Sequence, residues 1–268
     1  MNEMKCNSMA VFNSNDIYPV SADSELPFEQ HRDIFHLTGI DQEETILLLY
    51  PPSKDDKTRE ILFIRKSDNH TKVWEGEKLS KKQANELSGI DSIYFIDDFK
   101  DILSSIATKV DTFYINKNEH YRANSPVETR EDRFISWLLK KYPAHNVAKS
   151  NPILQRQRSI KHPDEIDQIK KACNITRKGF NRVLEFIKPN VWEYEIEAEF
   201  IHEFINSSSK GFAYSPIIAS GNDNNVLHYI KNNKQCKSGE LILMDVGAEY
   251  GNYSSDMTRT VPVSGKFS

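Results

Sequence analysis

The stretch that decides the fold is LILMDVGAEYGNYSSDMTRTVP, which runs from Leu241 to Pro262. Its beginning is almost entirely apolar, so Leu241 to Val246 is predicted to be a buried strand. Asp245 falls late in that strand, and a charge among buried residues is costly unless it is paired or bound to a metal ion. Asp256 follows after the turn-forming pair Gly251-Asn252. The stretch is therefore predicted to fold back as a hairpin that carries both aspartates.

The two aspartates are predicted to form a pair. A tight turn at Tyr250-Gly251 places Asp245 directly opposite Asp256 on one face of the hairpin, with Cβ atoms about 4.5–5.5 Å apart. Carboxylates at that distance repel each other, and they either share a proton or bind cations. The separation suits two metal ions about 3.5–4 Å apart that share one carboxylate. Spacing alone leaves a second interpretation open, in which one aspartate is a turn residue and the other faces water. A shifted turn or a bulge would also spoil the pairing.

One histidine, His228, precedes the hairpin within NVLHY, shortly after the turn-rich SGND. A lone histidine at such a position is more often structural or exposed than catalytic. Beside a carbonyl polarised by a metal ion, it could donate a hydrogen bond to developing negative charge or to a leaving nitrogen. The interest of His228 therefore depends on the two aspartates.

The first half of the chain alternates apolar strand-like runs with helical periodicity, which is typical of an α/β domain. Four runs predict strands, the first two paired as a hairpin: Ile46 to Tyr50, Ile61 to Ile64, Ile93 to Ile96 and Phe113 to Ile115. Helices are predicted from Phe99 to Ile106 and from Glu131 to Tyr142. The polar segment Pro143 to Ser150 is predicted to be a linker, which gives an N-terminal domain of residues 1–150 and a second domain of residues 151–268.

The second half begins with two predicted helices. Pro163 opens a long one, whose first turn carries acidic residues where the helix dipole favours them. The next begins near Glu193, and its many glutamates are predicted to form a solvated face. Phe212 to Ala219 is then predicted to be one strand, at a sheet edge because it contains Pro216.

Composition excludes several classes of function. The chain has 268 residues and a net charge of −4, and because no strong basic stripe is present, nucleic acid is not expected as a partner. No apolar run approaches the length of a membrane span, so no membrane contact is expected either. The polar start lacks the apolar core of a signal peptide, and the three scattered cysteines fit no metal or disulfide motif. A cytoplasmic protein with reduced thiols is the expectation.

Two groups of motifs resemble a known family. From Ile160 to Phe267 the sequence is similar to the catalytic pita-bread domain of the aminopeptidase P, prolidase and creatinase group. The matching motifs are KHPDEI (161–166), LHY (227–229), MDVG (244–247), SDMTRT (255–260) and VPV (261–263). RDIFHLTG (32–39) and VWEG (73–76) resemble that group's N-terminal domain. The resemblance implies an α/β chain with a creatinase-like N-terminal domain, followed by the first part of a pita-bread metallopeptidase domain.

The resemblance also implies roles for the candidate residues. In that group the aspartate of the MDVG strand binds one metal ion and that of the SDMTRT segment bridges two, which implies Asp245 and Asp256 as metal ligands. It implies His228 as a catalytic and substrate-binding residue. The resemblance implies two divalent ions, and carboxylate-rich ligation favours manganese as their identity. Cobalt, zinc and iron are also compatible with such ligands. The implied activity is that of an Xaa-Pro aminopeptidase, which releases the residue before a proline from peptide substrates, in a homo-oligomer.

The chain departs from the family pattern after the second aspartate. The family site needs five ligands, and the later histidine and two glutamates, one of them the general base, have no counterpart up to Ser268. We therefore expect a chain truncated before those ligands and with little peptidase activity by itself. Prolidase is the nearest alternative, although FHLTG (35–39) favours aminopeptidase P. A non-catalytic pita-bread binding protein is the other, and the retained aspartates argue against it for the parent protein.

Overall fold

The computed structural model describes residues 1–118, 120 and 126–267. The chain divides into two compact units, Met1–Ile160 and Lys161–Ser268. Each unit has its own hydrophobic core, so each is described by itself.

The first unit is built on a six-stranded sheet with the strand order β6-β5-β4-β1-β7-β8. Strand β4 is antiparallel to β1 and to β5, and the other neighbours in the sheet are parallel. The strands of this unit, including a separate two-stranded ribbon of β2 and β3, are β1 Ser8–Asn13, β2 Pro19–Ser21, β3 Ser24–Glu25, β4 Ile46–Leu49, β5 Glu60–Ile64, β6 Ser92–Phe95, β7 Thr112–Ile115 and β8 Asn146–Lys149. The helices are α1 Arg32–Thr38, α2 Asp56–Arg59, α3 Asn69–Trp74, α4 Lys81–Ser88, α5 Phe99–Ala107, α6 Arg130–Lys141 and α7 Asn151–Ser159.

Both faces of this sheet are buried. Met9 and Val11 of β1 pack into one core with residues of α5 and α6, and Ala10 and Phe12 pack into a second core on the opposite face. Strands buried on both faces are expected to be continuously apolar. This explains why β4, β5 and β7 could be predicted from the sequence. The predictions of these three strands, of β6 and of the hairpin of β4 with β5 are confirmed.

The predicted linker from Pro143 to Ser150 is wrong in part, because it contains β8. This strand pairs in parallel with β7 at the edge of the sheet, and most of its side chains are exposed. An exposed edge strand has little apolar alternation, so its backbone pairing leaves no trace in the sequence. The next helix, α7, also belongs to the first unit, so the observed boundary at Ile160 lies beyond the residue 150 used in the sequence-based division.

The second unit packs two helices against two small sheets. Its elements are α8 Pro163–Phe186, α9 Glu193–Asn206, β9 Gly211–Phe212, β10 Ile217–Ser220, β11 Leu241–Val246, β12 Ala248–Tyr250, β13 Tyr253–Ser254 and β14 Met257–Pro262. The strand orders are β10-β11-β14 and β13-β12-β9. A Cβ at Gly179 of α8 would lie 2.7 Å from the Phe204 ring and 2.9 Å from the Phe200 ring, so the absence of a side chain there lets α8 and α9 pack closely.

The predicted single strand from Phe212 to Ala219 is instead two strands. They lie on either side of Pro216 and belong to different sheets, β9 pairing with β12 and β10 pairing with β11. Proline has no N–H to donate to a ladder, so the interruption at this residue is the expected place for the change of partner. The region was also predicted to lie at a sheet edge. Among the described strands, β10 is an edge strand of the sheet β10-β11-β14, as predicted.

The hairpin from β11 to β14 is present, but its turn lies one residue later than predicted. Tyr250 pairs with Tyr253, so the turn residues are Gly251 and Asn252, with φ of 58° and 64°. A two-residue hairpin turn with positive φ at both positions matches the twist of the strands, and glycine and asparagine tolerate that conformation. The shift places Asp245 opposite Thr258.

No helix in the described part of the chain is long and apolar enough to cross a membrane.

Candidate metal and peptide site

Asp245 faces away from the core because β11 alternates. Ile242, Met244 and Val246 are fully buried in the core of the second unit, so Leu243 and Asp245 point to the other face of the sheet. The side chain of Asp245 is only partly exposed. Strand β11 thus presents the Asp245 carboxylate on the face of the sheet opposite to the core.

Asp256 lies between β13 and β14 and is exposed. Its neighbour Met257 pairs with Val246, so Asp256 comes level with Gly247 and sits diagonally from Asp245. The predicted direct opposition of the two aspartates is therefore wrong. Because the turn shift moves the register by two residues, both aspartates nevertheless stay on the same face of the hairpin.

Tyr214 joins the two carboxylates. Its hydroxyl donates to Oδ1 of Asp245 at 2.6 Å and lies 3.1 Å from Oδ1 of Asp256. Burial of the phenol, together with its hydrogen bond to Asp245, raises the pKa of Tyr214 above that of an ordinary tyrosine, so the hydroxyl keeps its proton. Two carboxylate oxygens, one from β11 and one from the residue just before β14, therefore lie close to the tyrosine oxygen.

The backbone around these carboxylates is held by a close approach and a buried hydroxyl pair. A Cβ on Gly247 would lie 1.9 Å from the carbonyl oxygen of Ser255, so only glycine fits there. The hydroxyls of Ser255 and Thr176 lie 2.6 Å apart, and each is 2.9 Å from the amide nitrogen of Ala248. Helix α8, which carries Thr176, thus fixes the segment that leads into Asp256.

His228 lies in the segment between β10 and β11 and is exposed. In the described part of the chain, no hydrogen bond links it to Asp245 or Asp256. The next residue is anchored, since Tyr229 is buried and its hydroxyl donates to Oε2 of Glu193 at 2.8 Å. The structure thus brings the two aspartates together, whereas it fixes the position of His228 only through its neighbour.

The donor set fits part of a metal site. Carboxylate oxygens are hard ligands, and two of them converging on one point suit a divalent ion such as manganese. Such an ion takes about six ligands. Among the described residues, no group of three or more histidine, cysteine, aspartate or glutamate side chains is placed to hold a metal ion. The carboxylates of Asp245 and Asp256 by themselves therefore supply too few donors to complete the coordination of a divalent ion.

Sequence reasoning missed Tyr214 and Glu193. Tyr214 lies within the stretch Phe212 to Ala219 that was predicted to be a strand, more than thirty residues before Asp245, and no pattern in the sequence joins these two residues. Glu193 was expected to lie on a solvated helix face, but it is fully buried. The only sequence signal was its place at the start of a helix, where a carboxylate is favoured but burial is not implied.

Comparisons with known proteins agree with this architecture. Residues 1–114 match the family model described as the N-terminal domain of aminopeptidase P, and residues 167–268 match that of metallopeptidase family M24. The Xaa-Pro aminopeptidase of Escherichia coli is 31% identical over 253 residues, which cover 92% of this chain and 56% of that protein. Xaa-Pro aminopeptidase 3 of Homo sapiens is 30% identical over 257 residues, covering 95% of this chain and 50% of that protein. The chain thus spans about half the length of these curated relatives.

Solved structures give the same result. The aminopeptidase PepP of Pseudomonas aeruginosa superposes with a TM-score of 0.88 at 28% identity, covering 100% of this chain and 60% of that one. A zinc-substituted aminopeptidase P of Escherichia coli, in complex with product, gives a TM-score of 0.87 at 29% identity and covers 99% of this chain and 60% of that one. These likenesses confirm the fold class that the sequence predicted.

Proposed function

Because this chain belongs to the aminopeptidase P group, with that group's N-terminal domain in residues 1–114 and a match to metallopeptidase family M24 in residues 167–268, we propose that it derives from a metal-dependent Xaa-Pro aminopeptidase. The substrates are peptides with proline at the second position, from which the first residue is released. The relatives named Xaa-Pro aminopeptidase support this choice over prolidase and over a non-catalytic binding protein.

The observation that carries the proposal is the convergence of Asp245 and Asp256 on the hydroxyl of Tyr214. Carboxylates gathered at one point repel each other, and a cation relieves that repulsion. We assign Asp245 and Asp256 as two of the ligands of a site for two divalent ions, with manganese as the preferred metal. Bound divalent ions polarise a carbonyl and lower the pKa of water.

His228 is assigned as the residue that assists the scissile peptide. Its imidazole is exposed and so is accessible to a peptide, and it can donate a hydrogen bond to developing negative charge or pass a proton to the leaving nitrogen. Both roles suit an Xaa-Pro bond. The nitrogen of that bond, like any amide nitrogen, must gain a proton from the enzyme or from water as it leaves, and because the bond is a tertiary amide it offers the enzyme no N–H to bind.

The 268-residue polypeptide by itself is proposed to have little or no peptidase activity. Two aspartates supply fewer donors than one divalent ion takes, so a metal ion would be held weakly. A cytoplasmic location and a homo-oligomeric state remain part of the proposal for the parent protein.

A manganese titration followed by NMR tests the assignment of the ligands. Paramagnetic Mn²⁺ added to the isotope-labelled polypeptide is expected to broaden signals around Asp245 and Asp256 first. Asp256→Asn should reduce that broadening, whereas Asp164→Asn, which alters an exposed carboxylate on α8, should not. Broadening centred elsewhere, or unchanged in Asp256→Asn, would contradict the assignment.

A cleavage assay tests the activity. An Xaa-Pro peptide is incubated with the 268-residue polypeptide and, as positive control, with the Escherichia coli Xaa-Pro aminopeptidase, both with Mn²⁺. Cleavage by the control alone is the expected result. Robust cleavage by the polypeptide would refute the proposed inactivity and would support the assigned reaction.

A further inference from the structure

Glu193 differs from the other glutamates of helix α9. It is the first residue of the helix and is fully buried, whereas Glu195, Glu197 and Glu199 are partly exposed. A buried carboxylate is costly unless hydrogen bonds replace the water it loses. The contacts of Glu193 therefore have to compensate for that loss.

Four donors surround the Glu193 carboxylate. Oε1 accepts from the amide nitrogen of Ser220 at 2.8 Å and from its hydroxyl at 2.7 Å. Oε2 accepts from the hydroxyl of Tyr229 at 2.8 Å and from the amide nitrogen of Lys234 at 2.9 Å. Ser220 is the last residue of β10, and Tyr229 and Lys234 belong to the chain that follows. One side chain thus ties together both ends of the segment from Ser220 to Lys234, which we call the His228 segment.

A second glutamate supports the same segment one helical turn later. Glu197 accepts from Nδ2 of Asn232 at 2.8 Å, and Oδ1 of Asn232 accepts from the amide of Ile218 in β10 at 3.0 Å. Asn232 is buried and has a φ of 43°, in the left-handed region of backbone conformation. Residues four apart share one face of a helix, so Glu193 and Glu197 act from the same side of α9.

His228 is the residue next to one of these anchors. Tyr229 closes a turn with Val226, since its amide donates to the Val226 carbonyl at 3.3 Å, and His228 lies inside that turn. The imidazole itself is exposed, as are the flanking side chains of Leu227 and Ile230. The position of His228 is therefore set by the backbone on either side, and the Tyr229–Glu193 contact lies closest to it.

We propose that Glu193 is a positioning residue, whose buried carboxylate holds the His228 segment so that His228 points to the peptide site. The proposal rests on the proposed function for the role of His228, but the positioning itself can be measured without catalysis. Glu193 does not touch the substrate in this proposal, and its effect reaches the reaction only through His228.

NMR of Glu193→Gln tests the positioning directly. Glutamine keeps the shape of the side chain but turns one acceptor oxygen into an NH₂ group, which then faces an N–H or O–H donor. Hydrogen exchange of the Ser220 amide or the Lys234 amide, whichever then faces the NH₂ group, is expected to speed up by about tenfold or more, as for the loss of one buried hydrogen bond. The imidazole signals of His228 should shift towards those of an unstructured histidine.

The matched control is Glu203→Gln on the same helix, whose carboxylate accepts from the hydroxyl of the nearby Ser207, outside the His228 segment. It should leave His228 and Lys234 unchanged. If Glu193→Gln does not fold, Tyr229→Phe removes one of the four contacts and should shift His228 in the same direction by a smaller amount. Wild-type His228 signals in Tyr229→Phe and in any folded Glu193→Gln would overturn the proposal.

A double-mutant cycle connects positioning with catalysis in any form of the protein that cleaves Xaa-Pro peptides. Glu193→Gln, His228→Ala and the double variant should all reduce kcat, and the double variant should lose no more than His228→Ala alone. Additive losses would mean that Glu193 acts apart from His228 and would overturn the proposal. If no form cleaves such peptides, the proposed function fails, whereas the NMR result still decides the positioning.

Discussion

At the scale of single residues, the site depends on Gly247. Its position directly after β11 lets the backbone of Ser255 approach closely, and Asp256 is the next residue in the chain. The phenol ring of Tyr214 packs at the same place, 3.1 Å from where a Cβ of residue 247 would lie. One missing side chain therefore allows the two aspartates and the tyrosine to share a small volume.

Gly247→Ala is expected to destabilise the second unit by roughly 2–4 kcal/mol, because its methyl group meets a backbone carbonyl that cannot move alone. Urea unfolding of the variant measures the change. Gly239→Ala is the matched control, since a Cβ there meets nothing within 4 Å and only the positive φ of 86° opposes it, at a cost of about 1 kcal/mol. Equal losses in the two variants would mean that the close approach has no importance.

At this scale the sequence was sufficient to single out Asp245, a charged residue within an apolar strand. Asp245 stands out because its neighbours are buried, and that argument needs no knowledge of the fold. Tyr214 could not be predicted, because its contacts to Asp245 and Asp256 span 31 and 42 residues of sequence. Glu193 was predicted wrongly because helical charge patterns do not reveal what packs against each position.

At the scale of elements, the start of α6 shows how local chemistry sets a boundary. The hydroxyl of Thr129 accepts from the Asp132 amide, and the Asp132 carboxylate accepts from the Thr129 amide, which forms a capping box. Lys117 also pairs with Asp132 at 2.8 Å. These hydrogen bonds, led by that from Lys117, lower the pKa of Asp132 to about 2.

The contribution of Asp132 to the free energy of unfolding is therefore expected to depend on pH. Its folded pKa is below its unfolded value, so the contribution is complete above about pH 4–5 and disappears as the pH falls towards 2. Because the side chain is partly exposed, we expect only about 1 kcal/mol. Asp132→Asn should lower stability in urea at pH 7 and converge with the wild type near pH 2–3. Glu128→Gln, outside the capping box, should show no such convergence, and a pH-independent loss in Asp132→Asn would contradict the assignment.

The strands that were predicted each contain an apolar run, including β6 at one edge of the first sheet, whereas the mostly exposed β8 at the other edge was not predicted. The run of apolar residues in β4 and β5 identifies them directly. Strand β8 is held by its backbone at an exposed edge, and β9 and β10 are short and change sheets at Pro216. Periodicity reports only which side chains are buried, so it cannot detect pairing that depends on the main chain.

At the scale of the whole molecule, the two units differ in how completely their sheets are covered. The central sheet of Met1–Ile160 has a hydrophobic core on each face. In Lys161–Ser268 the outer strand β14 has exposed residues along its middle, including Thr258, Arg259 and Thr260. The second unit therefore depends on fewer buried contacts at that edge.

Limited proteolysis should reflect this difference. We expect a protease to remove parts of the second unit first and to leave a resistant product close to Met1–Ile160, because opening of an element is easier where few side chains are buried. Mass spectrometry of the products identifies the cuts, and a polypeptide of residues 1–160 should unfold cooperatively by itself. Equal resistance of the two units would contradict the expectation.

The two-residue turn at Gly251 and Asn252 also acts as a constraint on which insertions and deletions the gene can accept. In a hairpin, neighbouring residues point to opposite faces, so if the turn keeps two residues, losing or gaining a single codon between Val246 and Asp256 would turn the second carboxylate towards the core. A change of two codons would keep both carboxylates on one face but would shift the position of Asp256 along the hairpin relative to Asp245. Length variation in this hairpin should therefore be confined to even steps wherever the pair of aspartates has to work together.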